Sequence, residues 1–221
     1  MNEQHQIFRR GANHVARVTL FLIPVGLMGT AACVWAVWWS PYVTRQGLAL
    51  DQPVPFSHEH HNAGLGIDCR YCHTTVETSG TAGMPPTETC MTCHSQVWTD
   101  AEVLRPVRES WASGKPIRWQ RVHDTPDFVF FNHGIHVQKG IGCSTCHGRV
   151  DQMPLMRQEH TLWMKWCIDC HRDPAKEIRP KEEVFNMAYQ PPRDQAALGK
   201  RLVAEYQVHT TQLTDCSMCH R

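Results

Sequence analysis

Apolar positions crowd into one stretch of this chain and thin out elsewhere. From Val18 to Trp39 there is no Asp, Glu, Lys or Arg, and about 20 consecutive apolar residues suffice to cross a bilayer core as a helix. Pro24, Gly26 and Gly29 lie inside the run, where membrane helices tolerate them. Trp35, Trp38, Trp39 and Tyr42 gather at its far end, as an interfacial aromatic belt does. Arg9, Arg10 and Arg17 precede the run, and only Arg45 follows closely. This bias predicts residues 1–17 in the cytoplasm, a transmembrane anchor over 18–39 and the remainder outside. A cleaved signal sequence is the rival, but its apolar region is shorter and ends at small residues rather than bulky Trp. The Arg9–Arg10 pair lacks the context of a twin-arginine signal. Cys33 reads as a small residue of the membrane helix.

Past the anchor the pattern weakens. Residues 40–55 carry Pro41, Pro53 and Pro55 and read as a linker. Residues 95–130 form a connector with Trp98, Trp111 and Trp119, expected to pack on cofactor faces or on a partner. One stretch, Gln195 to Tyr206, has good helix formers and helical spacing of Leu198, Leu202 and Val203. Elsewhere short helices, turns and loops are expected. Hydrophobic residues make up 42% of the chain, but the anchor holds much of that share. The polar remainder is too poor in Val, Ile and Leu to close a core by itself, so something else must fill the interior.

The cysteines say what. Of 11 Cys, all but Cys33 fall in C-x-x-C-H motifs: Cys69–His73, Cys90–His94, Cys143–His147, Cys167–His171 and Cys216–His220. This motif marks covalent c-type haem attachment. Cys69, Cys72, Cys90, Cys93, Cys143, Cys146, Cys167, Cys170, Cys216 and Cys219 would form thioethers. His73, His94, His147, His171 and His220 would be the proximal iron ligands. Zinc sites and thioredoxin-like pairs also use C-x-x-C, but neither explains a His after every second Cys. With no spare Cys outside the anchor, disulfides are not expected. The formal net charge of +1 argues against a nucleic-acid partner.

A repeat supplies distal ligands. Phe56-x-His58-x-x-His61 precedes the first motif, and Phe131-x-His133-x-x-His136 precedes the third. Each is followed by a turn and two motifs, as if a two-haem module were duplicated before a fifth site at the C-terminal end. His58, His61, His133 and His136 are therefore the expected distal ligands, each pair reaching two haems. His60 falls outside the register. For the fifth iron, His123, Met153, Met156, Met164, His160 and His209 are all candidates. Two axial His give a lower potential than His plus Met. All five motifs end in His, which disfavours a multihaem enzyme with an open iron.

The H-x-x-H and C-x-x-C-H pattern resembles class III multihaem cytochromes. AGMPPTETCMTCHS, RVHDTPDFVFFNHGIHVQKGIGCSTCHGRVDQM, MKWCIDCHRDP and LTDCSMCHR resemble, more narrowly, the pentahaem subunit of alternative complex III; His123, Met153 and Met164 lie within them. The resemblance implies a mostly irregular and α-helical multihaem cytochrome c with a haem-packed core. Its parts would be a first dihaem module and connector over 56–122, a second module over 123–185 and a C-terminal segment over 186–221 with the fifth haem. It also implies a non-catalytic electron-carrier subunit of a quinol-oxidising complex, in the bacterial cytoplasmic membrane with its haem domain on the periplasmic side. Partners would be integral-membrane quinol-binding subunits, an iron–sulfur subunit, membrane lipid and a monohaem cytochrome c or oxidase. A free-standing, membrane-anchored quinol dehydrogenase that feeds periplasmic reductases is the alternative.

Overall fold

A computed structural model describes residues 7–9 and 11–220. Arg10, one of the predicted flanking charges, and most of the segment 1–9 lie outside the described residues. The chain divides into two compact units, at Arg45 and Gln46.

The first unit holds helix α1, Ala12–Trp38, and the short helix α2, Pro41–Thr44. None of the α1 residues is buried, and the helix is long and apolar enough to cross a membrane. It starts before the apolar run because Asn13, His14 and Arg17 are compatible with helix while needing a polar surround. Pro24 sits within it. Ser40, in extended conformation, precedes Pro41 at the first helical position of α2, where the missing N–H costs nothing.

The second unit is a series of short helices joined by turns. In order they are α3 (Cys69–Cys72), α4 (Thr87–His94), α5 (Arg105–Ser113), α6 (His133–Gln138), α7 (Cys143–His147), α8 (Met164–Arg172), α9 (Gln195–Glu205) and α10 (Cys216–Cys219). A π turn spans Glu59–Gly64. Among the described residues there is no strand; isolated bridges such as Val129 with His220 and Ile141 with Ile178 tie loops together. The expected helix near 195–206 is α9. Helix α5 stands inside what the sequence presented as a bare connector. Its ends were legible: Pro106 lies in its first turn, and Gly114 closes it at φ 68°, the left-handed conformation glycine accepts.

The protein's own core is sparse. Val54, Leu104 and Val107 form one buried cluster, against which Met91, Ile117 and Trp119 pack. Ile178 and Val184, each 1% exposed, lie buried elsewhere. Trp119 thus packs on protein, while Trp98 and Trp111 stand exposed. Small separate clusters do not make the single continuous core of an ordinary domain. The chain instead wraps around its Cys and His side chains.

Candidate haem-binding sites

Each C-x-x-C-H lies on or beside a helical turn. Helices α3, α7 and α10 begin at the first Cys, and α4 and α8 carry their motifs in their last turns. In a helix, positions i and i+3 share a face, so the two sulfurs of a motif face the same way. Asp68 helps to start α3 by accepting from the Arg70 N–H at 2.8 Å. None of the eleven cysteines is in a disulfide. Burial pushes Cys146 up to about 12, and Cys143 and Cys170 up to about 11. Reactive redox cysteines show the opposite, a lowered pKa.

Seven of the nine expected axial imidazoles are held through Nδ1, while the Nδ1 atoms of His58 and His147 are buried with no partner. His73 Nδ1 meets Gly83 O at 2.8 Å, His94 Nδ1 meets Val97 O at 3.1 Å, His171 Nδ1 meets Leu213 O at 2.9 Å and His220 Nδ1 meets Phe128 O at 3.2 Å. Three of the four distal candidates repeat this: His61 to Ser57 O at 2.8 Å, His133 to Gly80 O at 3.1 Å and His136 to Asn132 O at 2.7 Å. A carbonyl only accepts, so Nδ1 carries the proton and Nε2 presents its lone pair. Metal-binding His side chains are commonly fixed in this way.

The rings then meet in pairs. His61 and His94 have centroids 6.2 Å apart, His133 and His147 6.3 Å, and His136 and His171 6.0 Å. The His133 and His147 planes differ by 8°. Two metal–imidazole bonds of about 2 Å, plus the depth of each ring, place ring centres about 6 Å apart, so these pairs fit an iron between them. Helix α6 sends His133 and His136, three residues apart, to two different motifs. Burial pushes His58 down to about 4, with His73 and His61 adding to the effect. His58 thus stands near His73. Burial likewise pushes His147 down to about 3, which keeps it in the neutral, ligating form.

The repeat's Phe56 and Phe131 brace its imidazoles. Phe56 stacks on His61 at 4.3 Å and meets His58 edge-on at 4.9 Å. Phe131 stacks on His136 at 4.5 Å and meets His133 edge-on at 4.7 Å. One ring therefore braces both imidazoles of its pair. The loop Ser79–Gly83 escapes the sequence pattern. Its carbonyls hold His73 and His133, and Ser79 O and Gly80 O accept from the Gly134 and His133 N–H groups. The helix α6 backbone comes so close that a Cβ at Gly134 would lie 3.1 Å from Glu77 O.

The fifth-ligand candidates part company. His123 has a buried Nε2 with no hydrogen-bond partner, and its ring lies 4.3 Å from His147, too close for an intervening iron. Burial pushes it down to about 4. Met153 is fully buried, with its carbonyl accepting from Glu59 N–H at 3.2 Å. Met164 is 63% exposed at the start of α8. The structure pairs none of the three with His220. The motif of His220 docks instead through Phe130 N–H to Cys219 O at 2.8 Å.

Neighbouring motifs touch in sequence. Tyr71 and Thr92, interior to the first and second motifs, share a hydrogen bond of 2.8 Å. The Ser79–Gly83 loop joins the first to the third, α6 joins the third to the fourth, and the His171 bond to Leu213 joins the fourth to the segment entering the fifth. The spatial order is therefore second, first, third, fourth, fifth.

Comparison with known proteins leads to cytochrome families. A cytochrome c3 family model matches residues 135–221, and a class III cytochrome c family model matches residues 40–115. Such families imply covalently bound c-type haem. The chain is also 31% identical over 171 residues to the "Menaquinone reductase, multiheme cytochrome c subunit" of Nitratidesulfovibrio vulgaris (Hildenborough), covering 77% of this chain and 68% of that one.

Proposed function

The chain belongs to the family of this multihaem cytochrome c subunit, and from that premise we propose that it is the electron-relay subunit of a membrane quinone-linked complex. The observation that carries the reading is the set of three His pairs near 6 Å, in which five of the six Nδ1 atoms meet a carbonyl and only His147 Nδ1 has no partner. When bound, haem supplies one-electron exchange at iron. The chain attaches and orients it. Five motifs correspond to five haems, with proximal ligands His73, His94, His147, His171 and His220. In the distal role, His58 serves the first motif, His61 the second, His133 the third and His136 the fourth. Electrons pass along the spatial order, with the second and fifth motifs as its ends. Helix α1 is the anchor, and the haem domain stands on the periplasmic side.

The resembling stretches favour a subunit of the alternative complex III type. Quinol-binding integral-membrane subunits and an iron–sulfur subunit would lie on one side, and a monohaem cytochrome c or oxidase on the other. The menaquinone reductase relative supports a second reading with the same wire run backwards, towards quinone. Purifying the membrane complex and staining a denaturing gel for covalent haem tests both. The expected result is a haem-positive band of this chain with multi-helix and iron–sulfur subunits. Reduction of a soluble cytochrome by quinol selects the first direction, and quinone reduction the second. A chain that purifies alone and oxidises quinol, or lacks haem, defeats the proposal.

His123 is the proposed ligand of the fifth haem, ahead of Met153 and Met164: its Nε2 is buried with no protein partner, and the role requires its ring to leave its place 4.3 Å from His147 for the His220 site. His123→Ala is expected to convert one haem to a high-spin form in the electron paramagnetic resonance (EPR) spectrum while the covalent haem content holds. An all-low-spin spectrum would return the role to the methionines.

A further inference from the structure

Arg179 is 6% exposed, and its guanidinium lies against the third motif. Its NH1 donates to Ser144 Oγ at 3.2 Å and to Asn186 O at 3.4 Å, and its NH2 donates to Thr145 Oγ1 at 3.0 Å. Ser144 and Thr145 are the two residues between Cys143 and Cys146. The fold makes room for it with glycine. An ideal Cβ at Gly142 would fall 2.2 Å from Arg179 Cζ, and the Arg179 N–H donates to Gly140 O at 2.8 Å. The guanidinium also lies 4.6 Å from the centre of the Tyr189 ring.

Among the described residues the protein's own side chains supply no anion to this charge. Among the described residues no carboxylate ion-pairs with it, its hydrogen-bond acceptors are all neutral, and Nε is buried with no partner at all. Glu177 and Glu183 act on it only from further away, and burial pushes its pKa down. Arginine nevertheless keeps its proton in proteins. The protein thus holds a buried positive charge with neutral groups, directly against the two residues between Cys143 and Cys146.

We propose that Arg179 raises the reduction potential of the haem held by Cys143, Cys146 and His147. The inference rests on the relay reading above and extends it. Oxidised iron carries one more positive charge than reduced iron. A fixed cation beside its attachment loop disfavours the oxidised form, and in a poorly polarisable interior that repulsion is weakly screened. Net charge and burial are recognised levers on haem potential. The third motif is also central in the order second, first, third, fourth, fifth. Arg179 thus deepens the middle of the wire, where an electron from either end can be held.

The test is an optical redox titration of the purified, haem-loaded protein with Arg179→Met and Arg179→Lys, run beside a haem-stained gel. Arg179→Met should move one component to lower potential by at least tenfold in its reduction equilibrium, about 59 mV for one electron. Arg179→Lys should keep most of the original midpoint. If Arg179→Met does not fold, Arg179→Gln is also neutral, can keep a bond to Ser144, and should shift the same component. Unmoved midpoints at full haem content, or a lysine variant that shifts as far as the neutral ones, would overturn the proposal. So would loss of haem from the third motif as the sole effect. A wild-type protein without covalent haem would instead sink the relay reading, and the gel separates the two failures.

Discussion

Replacing His136 with alanine should leave haem covalently attached at Cys167 and Cys170 while one low-spin EPR signal of the oxidised protein gives way to a high-spin one. Attachment depends on the two thiols and His171, none of which the substitution touches. The axial field depends on the pair. The His136 ring lies 6.0 Å from that of His171, with the planes 25° apart. Asn132 O and the Phe131 face hold it there. No neighbour can replace it, because His133 is turned to His147 with nearly parallel rings. His136→Met is the sharper variant. It should keep the iron six-coordinate and raise the midpoint of one haem, since His–Met ligation lies higher than bis-His. The shift should be a visible fraction of the range of about 0.8 V that axial ligands span. An unchanged spectrum in both variants would mean that another side chain serves the fourth motif, and the H-x-x-H pairing would fail.

Most of the candidate site was legible in the sequence because its proposed chemistry is carried by side chains at fixed spacing. Cys-x-x-Cys-His and Phe-x-His-x-x-His are local patterns, and the local helix does much of the positioning. What could not be read is carried by the backbone. Gly80 O, Gly83 O, Leu213 O and Phe128 O orient four imidazoles, and a carbonyl leaves no trace in residue identity. Arg179 was hidden for a related reason. A charged residue outside any motif reads as surface, and only its burial against Ser144 and Thr145 shows otherwise. The fold was legible in fewer places. Helix α9 shows its period, and α5 shows its Pro and Gly ends. The loops between motifs have no repeating apolar face, because their inner surface meets His and Cys rather than a sheet or helix stripe.

Gly199 offers the largest structural effect outside the ligands, and intrinsic propensity predicts the wrong sign for it. It lies in the middle of α9, where Gly→Ala ordinarily gains up to about 1 kcal/mol. Here an added Cβ would fall 1.9 Å from Ala175 O and 2.6 Å from Ala175 C. These are backbone atoms of the turn Pro174–Lys176, so they cannot swing aside as a side chain would. Gln195 Nε2 fastens the same contact by donating to Ala175 O at 3.0 Å and Ile178 O at 2.8 Å. Leu202, 3% exposed, lies one turn further along the helix. Overpacking of this kind costs about 1–3 kcal/mol, enough to outweigh the propensity gain. Gly199→Ala should therefore lower the unfolding midpoint of the haem-loaded protein by on the order of 5 °C, and Gly199→Leu should lower it further. Lys200→Ala, one residue on and exposed, should change stability by less than about 0.5 kcal/mol. The turn at Pro174 follows directly on His171 and Arg172, so the displaced helix should also disturb the spectrum of the haem at Cys167–His171 before any other. If Gly199→Ala raises the midpoint instead, α9 is free to move away from the turn and does not brace the fourth site.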